Sequence, residues 1–187
     1  MKKILLIGLA SLAIAGCSST PASLNFTPSD LNPVSAKQKI DAEIKTINIS
    51  IATKEEQKGE LQVGVFGNTY EQSFKTTFQN SLEESLAKTA IFKDDAKIKL
   101  TLLAKVLRFQ SPGSGINFDT HMTVKYDFID RSSGESIYNI EINSFGAVPF
   151  DYDFMGAIRA TEARNRAVKN NIHQLIERLK NDRFVRK

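Results

Sequence analysis

The sequence predicts an α+β fold: a two-layer sandwich, mainly antiparallel sheet, with two helices on one face. Two observations carry that prediction. Segments 97–108, 118–130 and 137–145 alternate apolar and polar residues with a period of two, the pattern of a half-buried strand. Segments beginning near Asn68 and after Asp153 instead repeat apolar residues every three or four positions, which gathers them on one helical face. A sheet with one apolar and one polar side suits helices packed on one side only.

The chain has 187 residues, and its first seventeen have a layout of their own. Lys2 and Lys3 precede an apolar run from Ile4 to Ile14, broken by Gly8 and Ser11, and small residues lead into Cys17, the only cysteine. A secretory signal has this three-part order. The run is shorter than the ~20 apolar residues needed to span a bilayer, so a permanent membrane helix is not expected. Residues 1–16 are therefore expected to be removed, and residues 17–41 to act as a tether. Pro21, Pro28 and Pro33 among Ser, Thr and Asn lower the propensity for helix and strand there. Leu24-Asn25-Phe26 is at most a short edge strand.

The folded domain is expected over residues 42–182. Ile47, Ile49 and Ile51 alternate with Thr46, Asn48 and Ser50 in a first strand over 43–52. The charged stretch 54–60 reads as a loop, and 61–66 as a second short strand. A helix comes next, in which Thr69 and Gln72 have capping-box spacing and Phe74, Phe78, Leu82 and Leu86 form the buried stripe. Three strands succeed it. Their inward rows are Ile98, Leu100, Leu102, Ala104 and Val106, then Phe118 to Phe128 by twos, then Tyr138, Ile140 and Ile142. Residues 130–135 join the last two strands as a turn in which Gly134 supplies a positive φ. The last helix is expected to run to about Asn181 on a stripe of Val168, Ile172, Leu175, Ile176 and Leu179, with Ala160, Ala163 and Ala167 making closer contact. Residues 183–187 read as a basic tail that frays.

Charge narrows the partners. Loss of residues 1–16 leaves 23 of the 25 basic side chains against 21 acidic ones, so the net charge falls from +4 to +2. Overall charge then gives no support for a nucleic-acid partner. The distribution is uneven: residues 159–187 carry nine basic and three acidic side chains. Arg159, Arg166, His173 and Lys180 are spaced seven apart, and such steps drift only ~20° around a helix. With Lys169 beside them they form an expected solvent-facing stripe. It is read as an ordinary solvated face or as a contact for an anionic partner, bearing on association rather than folding.

Signals for catalysis are weak. Asp119 and His121 share a strand face but lack the third and fourth ligands that a metal site needs, so no metal or cofactor is expected. Residues 111–115 form a Gly-rich loop with no Lys-Ser/Thr after it, so it does not cradle phosphate. Asp151 and Asp153 flank Tyr152 just before the last helix. Paired carboxylates can cleave glycosides, and a weak peptidoglycan hydrolase using Asp151 or Asp153 with His121 is the alternative reading. Carboxylates placed there more often cap a helix. The chain is expected to be a non-enzyme.

Ile14-Ala15-Gly16-Cys17 resembles the lipobox of bacterial lipoproteins. That resemblance implies diacylglycerol on the Cys17 sulfur, cleavage before Cys17 and acylation of the new amine. Ser18, rather than Asp, after the cysteine implies sorting to the outer membrane. Residues 126–135, Tyr-Asp-Phe-Ile-Asp-Arg-Ser-Ser-Gly-Glu, are similar to the Tyr-x-aliphatic-x-Asp-x-x-Ser/Thr-Gly hairpin of small Gram-negative outer-membrane lipoproteins. That loose group includes YajG-type lipoproteins and lipoprotein activators of peptidoglycan synthases. It implies a lipid-anchored domain facing the periplasm, with a non-catalytic binding or assembly role. The partners implied are the membrane, through the lipid, and an envelope protein or peptidoglycan.

Overall fold

A computed structural model describes residues 23–63, 67–111 and 116–182. Cys17 and the basic tail 183–187 lie outside the described residues, as do positions 64–66 and 112–115. The fold is α+β, with four strands and two long helices: β1 (Ala42–Ile51), α1 (Asn68–Thr89), β2 (Ile98–Gln110), β3 (Phe118–Asp130), β4 (Ser136–Val148) and α2 (Gly156–Asn181).

The strands lie in the order β1-β2-β3-β4 in one sheet. β1 and β2 are parallel, as a crossover through α1 requires, while β2–β3 and β3–β4 are antiparallel. Both helices contribute to one core with the inner rows of the sheet. Phe78, Leu82, Leu102, Val124, Tyr126, Leu175 and Leu179 all belong to that core. The turn after β3 is closed by a hydrogen bond from Gly134 N to Asp130 O, with Gly134 at φ +75°.

Four expectations are corrected. The Thr69–Gln72 capping box does not form: Gly67, at φ +88°, occupies the N-cap, without a side-chain cap. The helix starts one residue before Thr69, so the Thr69 hydroxyl sits inside the first turn rather than ahead of it. The short strand at 61–66 reduces, over its described residues, to a single bridge between Leu61 and Phe109. β4 runs three residues beyond 145, to Val148, where it pairs with Phe118.

The fourth concerns the tether. Residues 23–41 are docked on the domain, and Phe26 is fully buried. Its ring meets Phe74 edge-on, with 5.3 Å between centroids. Asn25 N donates to Asn165 Oδ1, Thr27 Oγ1 donates to Glu84, and Val34 N donates to Thr89 O. Composition describes the average of a segment, but one aromatic side chain with a pocket is enough to fix it.

β2 also departs from strict alternation. The register with β3 slips between Val106 and Arg108, so Leu107 is an extra residue in β2. Such a bulge reverses the facing of the residues beyond it in the strand. Phe109 therefore returns to the core, 4.9 Å from the Phe74 ring.

Candidate functional site

The predicted basic stripe on α2 is not a free solvent face. Arg159 is only 5% exposed. Its Nη1 donates to the Ile116 carbonyl, and its guanidinium lies over the rings of Phe118 (5.2 Å) and Phe150 (4.7 Å). The helical azimuth of Arg159 is as expected, but the segments around Ile116 and Phe150 fold over it. This is a correction: Arg159 ties two loops to α2.

The rest of the stripe is engaged within the domain to varying degrees. Arg166 donates to Glu162 Oε1 (2.9 Å) and to the Ala147 carbonyl (2.8 Å), and lies over Tyr152. His173 Nε2 is 3.7 Å from Asp30 Oδ2, and Lys180 Nζ is 2.7 Å from Glu177 Oε1. Lys169 is half-buried. Arg159 and Arg166 thus reach segments outside α2, whereas Lys180 pairs within the helix.

Asp151 and Asp153 are separated in role. Asp151 is exposed in the short 3-10 turn Phe150–Tyr152. Asp153 Oδ1 accepts a hydrogen bond of 2.7 Å from Met155 N, fixing the bend into α2. His121 is exposed on β3 beside the Phe145 ring, 5.0 Å away. Among the described residues no three His, Cys, Asp or Glu side chains are grouped to hold a metal.

Sequence reasoning missed an apolar surface at the start of α2. Phe150, Tyr152, Phe154 and Met155 are exposed, and so is Ile116 beside them. Contacts through Arg159 and Arg166 hold Ile116, Phe150 and Tyr152 around this end of the helix. A signal was present: Phe150, Tyr152 and Phe154 alternate with Asp151 and Asp153, carrying the period of two past the expected end of the last strand, and Met155 follows them.

A second feature is a groove of about 650 Å³ between β1 and the C-terminal half of α1. Ile44, Ile47, Leu86 and Phe92 lie in it, and Glu43, Lys45, Glu83 and Lys93 are among its other lining residues. Hydrogen bonds from Lys45 and then Lys99 hold the Glu43 carboxyl below its ordinary range. At the core, burial raises the Tyr126 hydroxyl well above the usual tyrosine value. That hydroxyl donates to Asn171 Oδ1 at 2.7 Å, so it serves as a structural donor rather than an acid or base.

No family model matches the chain, and no curated protein matches it. Solved structures with a similar layout include protein XCC0632 of the DUF330 family from Xanthomonas campestris. It has 12% identity and a TM-score of 0.49, covering 83% of this chain and 90% of that one. A putative lipoprotein from Caulobacter crescentus has 14% identity and a TM-score of 0.43, covering 72% and 87%. Lipoprotein GNA1162 from Neisseria meningitidis has 9% identity and a TM-score of 0.33, covering 75% and 99%. At these scores the likenesses assign neither a family nor an activity to the chain.

Proposed function

We propose that this protein is a lipid-anchored envelope lipoprotein, held through Cys17 at the periplasmic face of the outer membrane, with a non-catalytic binding or assembly role. One observation carries the reading: two lysines, a short apolar run and small residues lead to the only cysteine of the chain. Two or three acyl chains, at ~0.8 kcal/mol per buried CH₂, make such an anchor stable. Ser18 favours the outer membrane under the sorting rule that the lipobox resemblance implies. Asp153 is engaged by Met155 N in the bend before α2 while Asp151 is exposed, and a binding role better fits a domain with exposed aromatic side chains.

Mass spectrometry of membrane-extracted protein is expected to give a lipidated N-terminal Cys17 peptide, and density fractionation is expected to put the protein with outer membranes. Cys17→Ala protein that fractionates unchanged would defeat the anchor. Clearing of purified peptidoglycan by the wild type, lost in Asp153→Asn, would defeat the non-catalytic role. In-cell crosslinking of the lipidated protein identifies the partner.

A further inference from the structure

The N-terminal segment has a direction. Ser23 O and Asn25 N are both bonded to Asn165 on α2, whereas Asp30 lies against His173, two turns further along the same helix. The chain therefore runs alongside α2 toward its C-terminal end. Ser23, the first described residue, is thus held beside the half of α2 that begins at Gly156.

Two lengths then set where the membrane can be. Asn165 is nine residues from Gly156, or about 14 Å at 1.5 Å per residue. Cys17 is six residues before Ser23, which reach at most about 21 Å when fully extended. Lipid on Cys17 thus keeps the bilayer within about 21 Å of Ser23, a reach that includes the end of the domain at which α2 begins. That end carries most of the exposed large apolar side chains among the described residues: Phe154 is 94% exposed, Ile116 73%, Phe150 56%, Tyr152 47% and Met155 46%, while Phe145 and Ile98 are exposed on the strands.

We infer that Ile116, Phe150, Tyr152, Phe154 and Met155 form a membrane-docking face that inserts at headgroup depth into the same bilayer that holds Cys17. Aromatic side chains favour the interface between headgroups and acyl chains, and a contiguous exposed apolar patch marks an interaction surface. The carboxylate of Asp151 lies within this face and resists desolvation, so insertion stays shallow. Behind the rings, Arg159 and Arg166 hold the patch in shape through cation–π contacts with Phe118, Phe150 and Tyr152. The acyl chains supply the affinity, and the patch sets the orientation of the domain on the membrane.

The inference rests on the reading of Cys17 as the anchor, and its test separates the two. The chain has no tryptophan, so Phe154→Trp introduces a single reporter at a side chain that packs against almost nothing. The lipidated variant is purified from membranes, checked by mass spectrometry at Cys17, and reconstituted into phosphatidylethanolamine–phosphatidylglycerol vesicles. Ser133→Trp, at the exposed β3–β4 turn on the opposite end of the sheet, is the control. Quenching of the Phe154→Trp reporter by brominated lipid is expected to be at least twofold greater than that of the control. It should fall toward the control when Phe150 and Tyr152 are both changed to Ser. Equal quenching at the two positions, with lipid present on Cys17, would overturn the docking face and leave the anchor standing. A blue shift that grows with surface density without bromine quenching would mean that a second copy covers the patch, and would also overturn it. An unmodified Cys17 in the membrane-extracted protein would remove the anchor and the docking face together.

Discussion

The two helices lie on the same sheet face but are held there by opposite means. α1 packs through bulk: Phe74 and Phe78 are fully buried, their rings 6.0 Å apart, and Phe74 also meets Phe26 and Phe109 edge-on. α2 approaches through the absence of bulk. Ala163 and Ala167 face Gly146 of β4, where a Cβ atom would meet the Ala163 carbonyl and the Ala167 amide well inside 3.0 Å. The α1 contact is therefore specified by large side chains that fill space. The α2 contact is specified by a position that must remain empty so that two backbones can approach.

That difference predicts different responses to substitution. On the α1 side, Phe74→Ala should have the largest effect, about 3–5 kcal/mol, because it removes an aromatic that three other rings pack against. Denaturant unfolding measures the loss. It should be smaller in a chain already carrying Phe26→Ala, since the two rings share one contact. Independent, additive losses would mean that the N-terminal segment and α1 are not packed as a unit.

On the α2 side, Gly146→Ala adds one methyl group and should still cost about 1–3 kcal/mol, the range for overpacking a well-filled core. The obstruction is backbone, so shortening Ala163 or Ala167 to Gly should not restore the loss. A thermal midpoint that recovers in Gly146→Ala/Ala163→Gly would show that side chains, not backbones, set the spacing.

The same contrast separates the features that were legible in the sequence from those that were not. The aromatic and aliphatic rows that build α1, β2, β3 and the stripe of α2 recur at a fixed period, so their faces could be read directly. Features that depend on a single residue in an irregular setting escaped that reading. Phe26 sits among prolines and polar residues, yet its fully buried ring turns residues 23–41 into part of the domain. The bulge at Leu107 breaks the alternation that would otherwise send Phe109 outward. Arg159 falls on the polar azimuth of α2 but is buried by segments that the period of the helix cannot reveal. Cys17, the best-marked position in the sequence, lies outside the described residues, so its modification stands on the sequence pattern alone.

A third prediction concerns the register of α2, since small residues allow a close approach without choosing its phase. Asn171 Oδ1 accepts from the Tyr126 hydroxyl, while its Nδ2 donates to the Ile142 carbonyl (3.1 Å) and to Ser144 Oγ (2.9 Å). One amide thus joins α2 to both β3 and β4. Asn171→Ala leaves the buried Tyr126 hydroxyl without this acceptor and should cost about 1–3 kcal/mol. Tyr126→Phe alone should cost less, and in the Asn171→Ala background it should be nearly neutral or slightly stabilising. A full additional loss in the double variant would place the energetic role of Asn171 elsewhere.

The smallest expected effect is electrostatic and belongs to the α1 half. Lys45 and Lys99 both approach the Glu43 carboxylate at the edge of β1, and Lys105 approaches Glu56. Hydrogen bonds to these lysines lower the folded-state pKa of both glutamates below the ordinary value. A depressed carboxylate pKa contributes stability that is complete above the unfolded-state pKa and is lost as pH falls through the folded one. The contribution should therefore be present at neutral pH and decline below the ordinary glutamate range. Both groups of charges lie at the protein surface, so salt should weaken it further. Glu43→Gln should flatten this part of the pH–stability profile while leaving the losses from Phe74→Ala and Gly146→Ala unchanged. An acid-induced loss of the same size and midpoint in Glu43→Gln would mean that other carboxylates govern the acid limb, and that packing alone holds the β1 edge against α1.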